Sequence, residues 1–183
     1  MTCSAPYGRI AETEDVRNAI ARMVGEVGKN RIEDILGILD TWATHEFGRI
    51  AKTAGIALQQ VAMDPSSTQH ALRLLHNWSI DIPPQEADED ARRKAIGRRW
   101  ACAATLWRIA LIESRSDLLD FALQHLEKLA RDPSDYVVSS VAYALRMMVS
   151  AIPLERIVSF LSENRSEGAN RRRLTTSYQR LPG

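Results

Sequence analysis

The stretch TQHALRLLHNWS, residues 68–79, repeats Leu72, Leu75 and Trp78 in successive helical turns, the spacing that lines one face of an amphipathic α-helix. Three other segments carry the same pattern: IEDILGILDTWA (32–43), LDFALQHLEKLA (119–130) and LERIVSFLSENR (154–165). Leu36, Leu123 and Val158 take the place of Leu72. Leu39, Leu126 and Leu161 take that of Leu75, and Trp42, Leu129 and Asn164 that of Trp78. The four starts lie 36, 51 and 35 residues apart, the period of a repeated helical hairpin.

Working outward, a second set of helices rich in small residues fills the gaps: VRNAIARMVGEV (16–27), IAKTAGIALQQVA (50–62), RRWACAATLWRIA (98–110) and VVSSVAYALRMMV (137–149). Small side chains let neighbouring helices approach closely, as the inner layer of a stacked hairpin array requires. The long middle step is explained by SIDIPPQEADEDARR (79–93), whose double proline and five acidic residues replace any apolar stripe. It reads as an inserted loop, either on the binding face or a solvated spacer.

With 183 residues, 45% of them hydrophobic and 26% charged, the chain has enough apolar surface for one ordinary folded domain. A formal net charge of +1 supplies no global field toward nucleic acid or an anionic membrane, so any such attraction has to be local. Cys3 and Cys102 have no CxxC spacing and no histidine beside them, which argues against a disulfide framework and a zinc site. Residues 1–15 lack the basic start and apolar run of a signal peptide, and the most apolar segment, 136–153, carries Arg146 in its middle. A cytoplasmic protein with no membrane partner is expected.

Residues 132–145, DPSDYVVSSVAYAL, resemble the most recognisable part of a HEAT repeat, in which an Asp-Pro turn leads into a second helix opening with Val-Arg and continuing with alanines to a leucine. Asp132 and Pro133 match the turn, Val137 the valine, Val141 an alanine place and Leu145 the leucine, while Val138 replaces the arginine. Val16 and Arg17, followed by Ala19, Ile20 and Val24, supply the missing pair in the first helix. Asp64 and Pro65 follow their helix and read as its end. In the third repeat Arg99 matches the arginine place only if Arg98 takes a valine place. The resemblance spans residues 15–164. It implies an all-α, right-handed α-solenoid of about four HEAT-like hairpins that works as a non-catalytic binding scaffold, with residues 1–14 an extension and 165–183 a basic, mobile tail. The array opens on a second helix without its first, so it implies a piece of, or a companion to, something longer.

His45, His70, His76 and His125 are scattered without i, i+4 or HExxH spacing, so neither a metal site nor a general base is expected of them. Gly25 and Gly28 read as a helix C-cap rather than a phosphate loop, and no cofactor is expected. Trp42 and Trp78, at equivalent last turns, read as core. Trp100 and Trp107 share a helix face with Ala103 and Ala104, whereas Cys102, Leu106 and Ile109 form a second apolar face. A helix apolar on two sides is either covered twice or offers one side to a partner. On the second reading the indoles, flanked by Arg99 and Arg108, form a slot for an aromatic or aliphatic anchor.

The partner surface expected on the inner helices is Arg17, Lys52, Gln59, Arg99, Trp100, Trp107, Arg108, Tyr143 and Arg146, all off the buried stripes, and a protein is the expected partner. Nucleic acid is the alternative, through Arg92, Arg93, Lys94, Arg98 and Arg99 and the tail arginines Arg171, Arg172, Arg173 and Arg180, unless the acidic run 86–90 pairs with that cluster. A third reading follows from the HEAT-like fold of alkylpurine DNA glycosylases: Trp100, Trp107, Arg99 and Arg108 with Glu113 or Asp117 contain the residue types for an alkylated base. An exposed apolar face leaves a homodimer open.

Overall fold

A computed structural model describes residues 14–28, 31–45, 48–112, 115–155 and 157–158. The described residues are all-α, without a strand. They form α1 (Glu14–Gly28), α2 (Ile32–Ala43), α3 (Gly48–Met63), α4 (Thr68–Ser79), α5 (Glu89–Ala110), α6 (Ser116–Leu129) and α7 (Asp135–Val149); residues 154, 155, 157 and 158 are also helical. The first three leucine-bearing segments and the four small-residue segments of the sequence fall on these helices in alternation, and the fourth leucine-bearing segment is helical at its described residues. The tail, 165–183, and the extension up to residue 13 lie outside the described residues.

The most extensive packing runs α1 to α3, α3 to α5 and α5 to α7, while α2, α4 and α6 pack mainly on that row. Two layers result, and composition explains which helix joins which. The row α1, α3, α5, α7 meets its own neighbours through Ala21, Ala51, Ala54, Ala57, Ala101, Ala103 and Ala144, all but inaccessible. The other layer sends Leu39, Leu75, Leu118, Leu123 and Leu126 into the space between, each at most 2% exposed. Burying one such leucine contributes about 1.5–3 kcal/mol. Trp78 is buried and Trp42 half-buried against the same core.

Gly25, expected as a helix cap, instead sits inside α1 where a Cβ would strike the Gln60 side chain of α3. Gly55 of α3 stands in the same relation to Thr105 of α5. Both glycines set how closely adjacent helices of the row approach, which offsets the cost of about 1 kcal/mol in intrinsic propensity of a glycine inside a helix.

One boundary differs from expectation. The inserted loop is shorter than 79–93, because α5 already begins at Glu89. The acidic run is the start of that helix: Asp88 accepts the Ala91 amide at 2.7 Å, and Glu89 and Asp90 stand in the first turn, where negative charge faces the helix dipole and orphan N–H groups. Asp90 also pairs with Arg93 and Lys94, both at 2.6 Å. In the last segment Ile157, at the place of the buried Ile35, Ala71 and Ala122, is fully buried, while Val158, at the place of the half-buried Leu72, is 52% exposed. The register is kept at Ile157; Leu161 and Asn164 lie outside the described residues.

Arg98 and Arg99, adjacent on α5, share Asp81 but hold different carboxylates besides. Arg98 grips Asp40 of α2 through Nε and Nη2 at 2.9 and 2.7 Å and Asp81 at 3.0 Å; the Trp78 indole donates to the same Asp40 at 2.8 Å. Arg99 is 5% exposed and pairs with the equally buried Asp132 at 2.6 Å, while its Nη1 donates to the Asp81 carbonyl. Asp132 also accepts the Ser134 amide at 2.8 Å, shaping the turn into α7. Asp132→Ala strands a buried guanidinium and is expected to lower the unfolding free energy by about 3–5 kcal/mol, read by urea denaturation. The double variant Arg99→Met with Asp132→Leu should lose less than Asp132→Ala alone; an equal or larger loss would show that the charges themselves are needed.

Candidate functional site

On α5, residues i, i+4 and i+7 share a face, so Trp100, Ala104 and Trp107 turn together away from Cys102, Leu106 and Ile109, which are fully buried. That outward face is one wall of a cleft of about 420 Å³. The opposite wall is α7, whose Tyr136, Ser139 and Tyr143 recur at i, i+3 and i+7. Arg17 of α1 and Lys52 of α3 close the remaining side. No lining residue comes from α2, α4 or α6, so the cleft belongs to the small-residue row alone.

The aromatic wall is already assembled. Trp100 and Tyr136 stack with centroids 5.4 Å apart and planes 14° from parallel, an arrangement that favours contact beyond plain area burial. The Ser140 hydroxyl donates to the Trp100 carbonyl at 3.3 Å, fixing α7 against α5 at the stack. About two turns further, the Arg108 guanidinium lies over the Trp107 ring, 4.4 Å from its centroid, within cation–π range. Gln59 of α3 donates to the Arg108 carbonyl at 3.3 Å, satisfying one of the carbonyls left unpaired in the last turn of α5.

Arg17, Lys52, Trp100, Trp107, Arg108 and Tyr143 thus meet on one cleft. Gln59 is engaged in tying α3 to α5, and Arg146 is exposed on α7 outside the cleft lining. Arg99 departs from expectation: it is a core residue, because its length and five donors let it satisfy Asp132 and the Asp81 carbonyl from within. Tyr136, Ser139 and Ser140 were not singled out from sequence. Their signal was available, since Tyr136, Ser139 and Tyr143 form an i, i+3, i+7 stripe parallel to Trp100, Ala104 and Trp107. Tyr136 of the neighbouring helix α7 lies on Trp100, and both indoles remain half-buried.

The basic cluster of α5 is largely answered from within the protein. Arg93 and Lys94 pair with Asp90, Arg98 with Asp40 and Asp81, Arg99 with Asp132, and Arg92 donates to the Gln85 carbonyl. The glycosylase constellation is not assembled either. Arg99 is in the core, Asp117 sits on α6 paired with Arg115 at 2.8 Å, Glu113 lies outside the described residues, and no carboxylate is among the cleft's described lining residues.

Two histidines that looked scattered come together. His76 of α4 and His125 of α6 approach to 3.2 Å, Nδ1 to Nε2. His125 Nδ1 lies 2.9 Å from the Phe121 carbonyl; a carbonyl only accepts, so this nitrogen carries a proton, and in the neutral ring Nε2 is left to accept from His76 Nδ1–H. Phe121 stacks on the His125 ring at 4.0 Å. Burial foremost, with help from Lys128 and His76, holds the His125 pKa below its ordinary value. Cys102 is buried, donates to the Leu75 carbonyl at 3.3 Å, and has its thiol pKa pushed up by burial, a packing residue rather than a nucleophile. Among the described residues no group of three or more His, Cys, Asp or Glu is placed to hold a metal ion, and no helix is long and apolar enough to cross a membrane. Comparisons with protein-family models, with curated proteins and with solved structures find no match to this chain.

A depressed histidine pKa means the unfolded chain binds the proton more readily. The stability His125 contributes is therefore complete above its unfolded value of about 6.5 and is lost as pH falls from there through the lower folded value. Unfolding free energy should drop between pH 7 and pH 5, and His125→Leu should make that slope shallower. An unchanged slope, measured by denaturant titration at each pH, would place the titration elsewhere.

Proposed function

We propose that this chain is a helical-repeat scaffold, a right-handed solenoid of HEAT-like hairpins, that holds a protein partner on the face built by α1, α3, α5 and α7. The observation that carries this reading is the cleft itself: aromatic walls from two helices and cations from three meet on the row of helices that the other layer leaves uncovered. Aromatic and arginine side chains gathered in a partly desolvated depression are the composition of a binding hot spot. Alternation of leucine-rich and alanine-rich helices in two layers supports the repeat architecture, since each hairpin buries its apolar stripe only against its neighbours.

A protein partner is favoured over nucleic acid by the fate of the basic cluster. A polyanion needs a track of cations along which to release counterions, and the residues from Arg92 to Arg99 that offered one are engaged with Asp40, Asp81, Asp90, Asp132 and the Gln85 carbonyl. The reading is non-catalytic: the cleft's described lining gathers cations and aromatic faces with neither a carboxylate nor a histidine among them.

Lys52 and Tyr143 are exposed, so Lys52→Glu and Tyr143→Ala should leave thermal stability nearly unchanged, within about 0.5 kcal/mol. Cross-linking of the tagged chain in cells, followed by mass spectrometry, should capture one stoichiometric protein with the parent and with the control Gln69→Ala on α4, and lose it in both cleft variants. Capture that both variants retain would move the binding surface away from this face. Tight duplex binding that weakens steeply with salt would replace the protein reading by the nucleic-acid one.

A further inference from the structure

His76 and His125 stand outside the cleft lining and take no part in the protein-binding reading. Nδ1 of His76 and Nε2 of His125 are 3.2 Å apart, with ring centroids at 5.5 Å and planes 79° from parallel, so the rings meet through their nitrogen edges rather than through their faces. Two imidazole nitrogens bound to one zinc ion, each at about 2.0–2.1 Å and at a tetrahedral angle, lie about 3.3 Å from one another. The separation found here matches that of two neighbouring ligands on a single ion.

The two rings are held differently, and the difference suits a ligand pair. His125 is buried, Phe121 stacks on it at 4.0 Å, and its Nδ1–H donates to the Phe121 carbonyl at 2.9 Å. A metal-bound histidine almost always gives its second ring N–H to a carbonyl or carboxylate, which fixes the tautomer and aims the other nitrogen. Burial foremost holds the His125 pKa low, so the ring stays neutral, the form that ligates. His76, by contrast, is exposed. Its ring is free to tilt until both lone pairs converge on one point, which solvent then reaches, and its proton passes from Nδ1 to Nε2, a change of tautomer without net proton release. Lys128 is a cation that acts on His125; it is exposed on α6, and its long stem lets the ammonium turn to water.

We propose that His76 and His125 form a two-histidine site for a borderline divalent ion of the zinc type, which clips α4 to α6. Imidazole nitrogen suits zinc, copper and nickel rather than magnesium or calcium. Among the described residues no group of three or more His, Cys, Asp or Glu is placed to hold an ion, so the protein supplies the pair and water fills the other places. The ion exchanges the His76–His125 hydrogen bond for two coordinate bonds. It acts within the layer of α2, α4 and α6, which gives the cleft none of its described lining.

The test is urea unfolding of the full chain, with any affinity tag removed, at neutral pH in buffer freed of metal and again with zinc chloride. An ion at one hundred times its dissociation constant shifts the unfolding equilibrium about a hundredfold toward the folded chain, so the midpoint should rise with zinc in the parent and in the control His45→Gln. Calorimetric titration should give one ion per chain at sub-millimolar zinc. His76→Gln, at an exposed position, should fold as the parent does and lose the zinc-dependent shift. His125→Gln should lose it too, whatever its own stability, because the readout is the difference zinc makes within each variant. A shift retained in either histidine variant places the ion elsewhere on the chain and overturns the inference. No shift in the parent, or binding seen only at millimolar zinc, overturns it as well. The protein-binding reading rests on the cleft and stands or falls separately.

Discussion

The two adjacent arginines of α5 are the constraint on which the arrangement around them depends. Two charged residues in sequence on a helix point about 100° apart, and here both bond Asp81 before they part, Arg98 to Asp40 and Arg99 to Asp132. Arg98 holds α2 and the α4–α5 segment through Asp40 and Asp81, and Arg99 holds the α6–α7 turn through Asp132. Removing a charge from water costs several kcal/mol, and a buried pair regains this only with good geometry and further hydrogen bonds. The Ser134 amide, the Asp81 carbonyl and the Trp78 indole provide those bonds. The outcome is specificity of placement rather than a large net gain: apolar burial alone would let the turn before α7 slide, whereas Asp132 admits few positions.

That placement reaches the cleft by a short route. Asp132 and Tyr136 are four residues apart across the turn into α7, so the ion pair that fixes Asp132 also fixes where Tyr136 enters. Tyr136 then stacks on Trp100, the residue next to Arg99. Neighbouring positions on α5 therefore serve the two sides of the helix: Arg99 points inward to hold the turn, and Trp100 points outward to receive the ring that the turn delivers. Close approach of the row's helices through Gly25 and Gly55 brings Arg17 and Lys52 near enough to share the same depression.

Much of this was legible in the sequence, and the failures have physical reasons. The alternation of leucine-rich and small-residue helices could be read because a 3.6-residue period is a local property. Trp100, Trp107, Arg108, Lys52, Arg17 and Tyr143 could be picked out because they lie off the buried stripe of their own helices. Arg99 could not, since its partner Asp132 is 33 residues away and arginine reads as exposed when its partner is unseen. The same nonlocality hid the meeting of His76 with His125. The acidic start of α5 was mistaken for loop because Asp and Glu favour both loops and helix N-termini, and only the Asp88 cap separates the two. Gly25 was misread because a glycine near a helix end and a glycine under a crossing helix look alike without the neighbour.

Charge distribution decides what the cleft can do in a chain of nearly zero net charge. Long-range steering is weak, because at physiological ionic strength exposed charges are screened beyond about 8 Å, and the cations of α5 between Arg92 and Arg99 are answered locally. The cleft's positive character consequently acts only on a group already at its mouth. Recognition by such a surface depends on the dissociation rate, through contacts made at close range in a partly desolvated space, more than on the rate of encounter. The stacked rings and the cations stand side by side on the one depression. The rigid spacing between them is set by the Asp132 turn that delivers Tyr136 to Trp100.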